Sequence, residues 1–161
     1  MRRAIIAAAS LIILAAANYG IYEKEGILTN GRVVLLEVAP VDPRSLMQGD
    51  YMALRFRVAN DAFGPAMMEN VRDGRIVLAL DDRGVGKFVR IDDGSAIGAS
   101  EVVMRYRVRQ GQPKFGTNAF FFREGQGQVY ASARYGEFRV SSSGDSILTN
   151  LRGEKLEVLG R

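Results

Sequence analysis

An uncharged apolar segment at the N-terminus constrains the possible architecture of this chain more than any other sequence pattern. Residues 4–22 carry no charge, and Arg2 and Arg3 precede them. At 1.5 Å per helical residue, these 19 residues can cross a hydrocarbon core of about 30 Å. Because positive residues stay on the cytoplasmic side, the two arginines predict that the rest of the chain lies outside. We therefore expect a single-pass anchor in a bacterial inner membrane, with the C-terminal domain on its periplasmic, outer face.

The same residues allow two alternatives to an intact anchor. The small residues at 15–17 fit the cleavage site of a signal peptide, which would be removed after Ala17. Apolar character resumes after Asn18, which favours the intact anchor, and both interpretations export the domain. The other alternative is a buried core helix of a cytoplasmic protein, which the flanking arginines disfavour.

The sequence contains neither cysteine nor histidine. The sequence therefore excludes disulfides, thiol nucleophiles and a Ser-His-Asp triad. It also excludes metal sites with thiolate or imidazole ligands. A metal would need carboxylate and carbonyl ligands, and we expect neither a metal nor a cofactor. We predict an anchor with a short extension at residues 1–30 and one domain at residues 31–161, which is long enough to bury one hydrophobic core.

Short runs rich in β-branched and aromatic residues alternate with glycine-rich turns through the domain. This pattern is typical of a β-sandwich or a small barrel. The predicted strands are residues 32–38, 51–58, 75–80, 87–91, 101–109, 118–123, 137–140 and 156–159. Residues 60–74 predict a short helix, 111–117 a turn and 126–133 a helical turn. The predicted fold is mainly β, with about eight strands, one N-terminal transmembrane helix and one or two short helices.

Residues 51–58 show the clearest alternation of apolar and polar side chains. One set of alternate positions consists of Met52, Leu54, Phe56 and Val58. Because successive side chains of a strand point to opposite faces, this set is predicted to enter the core. The three phenylalanines at 120–122 cannot all enter one core for the same reason. One or two of them should form a partner or membrane surface, or be covered by residues 126–133.

Five arginines lie on polar faces of predicted strands, namely Arg55, Arg57, Arg105, Arg107 and Arg109. If their two strands pair, the guanidinium groups form one basic patch that could bind anionic lipid head groups or an anionic polymer. The alternative is a solvated face whose arginine stems cover the sheet beside acidic partners. We expect no nucleic-acid partner, because the domain is predicted outside the cytoplasm and carries no known nucleic-acid-binding motif.

Two runs of carboxylates lie at predicted hairpin tips, at residues 81–82 and 92–93. They could hold Ca²⁺ or act as an acid–base pair. The spacing of an EF-hand loop is missing, however, and aspartate next to glycine is typical of turns without a ligand. Turn formation is therefore the favoured interpretation of both runs.

Residues 41–56 contain Gly49-Asp50-Tyr51, followed by Leu54 and Phe56. This pattern resembles the signature of the GDYXXLXY family, a bacterial domain of unknown function, with Phe56 where the family has tyrosine. The likeness extends to residues 121–127 and 133–140. It implies a membrane-anchored protein whose partner is a multi-span membrane protein. Our leading hypothesis is thus a non-enzymatic extracytoplasmic module that associates with another envelope component, and in which Asp50 accepts hydrogen bonds from backbone N–H groups of its own connection.

The same region is similar to the substrate-binding region of type I signal peptidases. The catalytic pair of that family does not carry over, because Pro40 and Val89 stand at the positions of its serine and lysine. Ser45 and Lys87 are the nearest substitutes, and both are out of register. A hydrolase or peptidase is therefore an alternative hypothesis for function, and a basic lipid- or polymer-binding domain is another.

Overall fold

The computed structural model of the chain describes residues 2–39, 47–48, 51–67, 71–117 and 119–160. The helices are α1 (Arg2–Asn30), α2 (Arg57–Met67) and α3 (Gly127–Tyr130). The strands are β1 (Arg32–Glu37), β2 (Met47–Gln48), β3 (Tyr51–Ala53), β4 (Gly74–Leu80), β5 (Gly86–Ile91), β6 (Glu101–Arg109), β7 (Gln112–Phe115), β8 (Ala119–Phe121), β9 (Tyr135–Val140) and β10 (Ser146–Arg152). The prediction of a mainly β chain with an N-terminal helix is confirmed.

Helix α1 is long and apolar enough to cross a membrane over Ile5–Asn30. None of its most apolar 18-residue window is buried within the structure, so α1 is not the core helix of the domain. The helix ends at Asn30, as the Asn-Gly sequence predicts. The Gly31 amide donates to the Ile27 carbonyl at 2.9 Å, and a Cβ at Gly31 would collide with that carbonyl oxygen.

The described strands form three antiparallel sheets. Two sheets have three strands each, in the orders β1-β9-β10 and β2-β3-β8, and the third has four strands in the order β5-β4-β6-β7. A parallel bridge between Leu35 and Val85 joins the first sheet to the four-stranded sheet. The Leu35 amide also donates to the Gly84 carbonyl at 2.9 Å. Among the described residues no barrel closes, so the sheets pack around a core as open layers.

The core contains the predicted inward set from the alternating segment. Met52, Leu54, Phe56 and Val58 are all buried, while Ala53, Arg55 and Arg57 are exposed. Apolar residues of β1, β4, β6 and β9 complete the same cluster. The predicted facing of residues 51–58 is therefore right.

The predicted strand at residues 51–58 is nevertheless too long. Strand β3 ends at Ala53, and the Ala59 amide donates to the Phe56 carbonyl as the chain turns into α2. Val58, Ala59, Ala62 and Phe63 lie at helical spacing and form the inward face of α2. Val58 is thus buried from a helix and not from a strand. The predicted helix at 60–74 was placed too late, since α2 spans Arg57–Met67 and Gly74 begins β4 instead of closing a helix.

Two further predictions of secondary structure are wrong. Residues 111–117 contain β7, which pairs with β6 through a two-residue loop at Gln110 and Gly111. Both loop residues have positive φ, 55° and 71°, as a type I′ hairpin requires. Residues 156–159 contribute an isolated bridge at Val158, and the last strand is β10. A register shift between Leu148 and Asn150 interrupts the alternation of side chains in β10. The sequence pattern therefore does not predict this strand.

Candidate functional site

The family-like segment is described at Met47–Gln48 and from Tyr51 onward. Gly49, Asp50 and Ser45 lie outside the described residues, so the expected hydrogen bonds to Asp50 stay a prediction. Tyr51 begins β3 and lies opposite Phe121 of β8. Leu54 is buried in the core. The described part of the segment thus joins the central strand of the sheet β2-β3-β8 to the core of the domain.

Phe56 connects this segment to the second family-like region at residues 133–140. Its ring meets the Phe138 ring edge-on, with centroids 5.2 Å apart and planes at 71°. A Cβ at Gly136 would lie 2.8 Å from Phe56 Cε1 and 3.1 Å from Leu148 Cδ1. Glycine at 136 is therefore needed so that the Phe56 ring can lie against the backbone of β9. Two stretches about eighty residues apart form one packing unit.

The phenylalanines at 120–122 divide between two surroundings. Phe120 and Phe122 are half-buried and pack on the Tyr130 ring of α3, at centroid distances of 5.1 and 5.3 Å. Phe121 points outward with 73% of its surface exposed, and its ring lies 5.7 Å from that of Tyr51. Phe120 and Phe122 are thus covered by the segment at residues 126–133, as one prediction had it. Phe121 lies on the outer face, as the other prediction had it. The edge formed by Tyr51 and Phe121 is called the aromatic edge below.

The five predicted arginines are not on one pair of strands. Strand β6 carries three of them and pairs with β4 and β7, whereas β3 pairs with β2 and β8. Arg57 forms an ion pair with Glu37 at 3.3 Å, and Arg55 is exposed. On β6, Arg105 pairs with Asp145 at 3.1 Å and Arg109 with Asp73 at 3.6 Å. The single patch that depended on pairing of the two strands is not formed by the described residues.

A different basic cluster lies where β6 and β7 approach the end of α1. A pocket of about 320 Å³ lies there, and its basic lining residues are Lys24, Arg105, Arg107 and Lys114. The rest of the lining consists of Gly116, Thr117, Asp145, Ser146, Ile147 and Leu148. Arg107 and Lys114 lie directly opposite each other across the β6–β7 pair. We call this cluster the basic pocket. The sequence did not reveal these two lysines as members, because Lys24 lies far from the arginines in the chain and Lys114 lies in residues 111–117, which are predicted as a turn.

The carboxylates at the hairpin tips serve their own turns. Asp81 Oδ1 accepts hydrogen bonds from the amides of Arg83 and Val85, both at 2.9 Å. The Val85 amide is the main cause that lowers the pKa of the Asp81 carboxyl below its ordinary value, with the Arg83 amide and charge adding to it. Asp93 likewise accepts from Ser95, which lowers its pKa. Within the described ranges no group of acidic residues has the arrangement of a metal site.

The family comparison matches residues 13–151 to the model of the GDYXXLXY protein family. This span starts inside α1 and runs to the end of the core strands, so it covers most of the chain. The chain belongs to the GDYXXLXY family. No curated protein and no solved structure matches it.

A polar cleft of about 510 Å³ lies elsewhere on this GDYXXLXY protein, between β5 and the start of α2. Its lining includes Lys87, Asp61 and Tyr135, and the Arg57–Glu37 ion pair. Lys87 is the base that the hydrolase hypothesis requires. Its proposed partner, Ser45, lies outside the described residues, so that hypothesis stays a prediction.

The GDYXXLXY domain contains a buried charge network that the sequence pattern does not predict. Glu137 of β9 is 5% exposed and accepts hydrogen bonds from Thr149 and Asn150 of β10, each at 3.1 Å, and from Arg152. Burial alone would raise the pKa of Glu137, but the Arg152 and Asn150 hydrogen bonds and the Arg152 charge outweigh it and hold the pKa below its ordinary value. Arg152 also donates to the Leu156 carbonyl at 2.6 Å. The pairing of β9 with β10 creates this network, and no local pattern indicates that pairing.

Proposed function

We propose that this protein is anchored in the bacterial inner membrane, with its β domain on the outer face, and that it acts by associating with another envelope protein that spans the membrane several times. The division into an anchor at residues 1–30 and a domain at 31–161 is part of this proposal. The observation that carries it is the junction between α1 and the β domain.

That junction has no flexible linker. Helix α1 runs unbroken to Asn30, and β1 begins two residues later. Ile27 is buried, and Arg139 Nη1 donates to the Gly31 carbonyl at 3.2 Å. A domain held in this way stays at the membrane surface in one orientation, whereas a domain that captures distant soluble ligands gains reach from a flexible tether. The junction therefore supports a partner that lies in the same membrane.

The aromatic edge offers a contact surface for such a partner. Exposed aromatic rings held on a sheet edge are enriched at protein interfaces, because they bury much apolar area at low entropic cost. Phe121 is held by the pairing of β8 with β3 and lies against Tyr51 of the family segment. This arrangement supports a role of the family segment in association.

The first prediction concerns orientation. A reporter that is active only outside the cytoplasm, fused after Arg161, should be active in the wild-type protein, because Arg2 and Arg3 hold the N-terminus inside. Arg2→Glu/Arg3→Glu should reduce this activity. Arg109→Glu/Lys155→Glu, with the same change of charge outside the N-terminal flank of the helix, should not. A wild-type reporter active in the cytoplasm would contradict the proposed orientation, and the mass of the extracted chain distinguishes the intact anchor from cleavage after Ala17.

The second prediction concerns the partner. A photoreactive side chain in place of Phe121 should give one discrete adduct in intact cells, and mass spectrometry should identify its second component as a protein with several apolar spans. Val89 is the matched control, since it is an exposed apolar residue (43%) on a different sheet, and it should give no such adduct. Adducts with soluble proteins, equal adducts from both positions, or none at all would each count against the proposal.

A further inference from the structure

The basic pocket contains like charges that the described residues leave uncompensated. Arg107 and Lys114 are directly opposed across two antiparallel strands, an arrangement that destabilises a sheet. The other two arginines of this face have partners, since Arg105 pairs with Asp145 and Arg109 with Asp73. Within the described part of the chain, no carboxylate lies at ion-pair distance from Arg107 or Lys114.

A third cation reaches the pocket from the helix. Lys24 lines it together with the side chains of β6 and β7, and its only described carboxylate contact is with Glu23 at 3.8 Å. The pocket thus offers three positive groups and one carboxylate, that of Asp145, which is occupied by Arg105.

The height of the pocket above the membrane can be estimated from the position of Lys24 on helix α1. The uncharged segment ends at Tyr22, and Lys24 lies two residues further on, a rise of about 3 Å along the helix axis. The head-group layer of a bilayer is roughly 5–7 Å thick on each side. Lys24 therefore lies in that layer when the apolar segment spans the membrane, and the pocket lies within one lysine side chain of it.

We propose that the basic pocket binds the phosphate head group of an anionic phospholipid from the outer leaflet. Arg107, Lys114 and Lys24 neutralise the phosphate. Binding removes the repulsion between the two opposed cations of the sheet. It also fixes the height of the domain above the membrane. This site does not depend on the protein partner proposed above, because it lies on other strands than the aromatic edge.

The test uses the full chain in neutral detergent micelles that are doped with phosphatidylglycerol, and native mass spectrometry counts the bound lipid. We expect one saturable phosphatidylglycerol per chain and no saturable binding of phosphatidylcholine. Arg107→Gln/Lys114→Gln should weaken the phosphatidylglycerol affinity roughly ten-fold or more, since each cation near an anionic surface contributes about a factor of five. Inorganic phosphate at millimolar concentration should not displace the lipid.

Arg109→Gln/Lys155→Gln is the matched control, because it removes the same charge from residues that do not line the pocket. It should change the affinity less than two-fold. An equal loss in both double variants would show general electrostatic attraction and overturn the site. Unchanged binding in Arg107→Gln/Lys114→Gln would also overturn it. Displacement by inorganic phosphate would show a site for free phosphate and contradict the lipid.

Discussion

Phe56→Ala is expected to lower the free energy of unfolding by about 3–5 kcal/mol. The Phe56 side chain is 2% exposed, and its ring fills the space between Phe138 and the backbone of Gly136. Truncation removes the transfer free energy of the ring and leaves a cavity, because strands β1 and β9 are fixed by their ladder and cannot close around it. Chemical denaturation of the full chain, followed by far-ultraviolet circular dichroism, measures the loss.

The neighbouring residues supply the controls for this experiment. Leu54→Ala should cost about 2–5 kcal/mol, because Leu54 is buried on the same side of the segment. Arg55→Ala should cost less than about 1 kcal/mol, since Arg55 is exposed between them. Equal losses at positions 54, 55 and 56 would mean that the inward and outward sets are assigned incorrectly.

The alternation around Phe56 shows what the sequence can predict and where it fails. Burial depends on the direction of each side chain, and the periodicity of residues 52–58 gives that direction correctly. The chain changes from an extended to a helical conformation at Arg57. The alternation of buried and exposed side chains nevertheless continues to Val58, because the first turn of α2 also directs Val58 into the core. A pattern with period 2 can therefore continue through a boundary at which the backbone conformation changes. The helix α1 was predictable to its last residue, since length, charge and the Asn-Gly end all act locally.

The candidate sites depend on contacts between distant residues, and the sequence predicted few of them. The sequence identifies Arg105 and Arg107 as charged neighbours, but Lys114 joins them through β7, a strand within residues 111–117, which are predicted as a turn. Lys24 joins them because α1 contacts β9 and β10 of the first sheet. The family resemblance identified Phe56 and residues 133–140 as separate segments. Their contact arises from the packing of the segment against β9, which no local pattern encodes.

Arg152→Met is expected to destabilise the domain by about 3–5 kcal/mol at neutral pH. The variant keeps most of the apolar stem of Arg152 but leaves the Glu137 carboxylate buried without its cationic partner. The exposed pair of Arg57 and Glu37 is the matched control. Its side chains are 59% and 45% exposed, so Arg57→Met should cost less than about 1 kcal/mol. Unfolding by denaturant at pH 7 compares the two variants.

The pH dependence of the Arg152→Met variant identifies the cause of its instability. In the wild-type protein the folded pKa of Glu137 lies below its ordinary value, so the network stabilises the domain above the unfolded pKa and this contribution is lost as the pH falls through the folded pKa. Without Arg152, its hydrogen bond and its charge no longer oppose burial, so the folded pKa of Glu137 is higher in the variant than in the wild-type protein. Glu137 therefore contributes less stability at neutral pH in the variant than in the wild-type protein. The difference in stability between the two proteins should therefore shrink from pH 7 towards pH 4, and Glu137→Gln/Arg152→Met should recover part of the loss at pH 7. A difference that stays constant with pH would show that Arg152 acts through its hydrogen bond to Leu156 and the turn at residues 153–159, and not through the charge of Glu137.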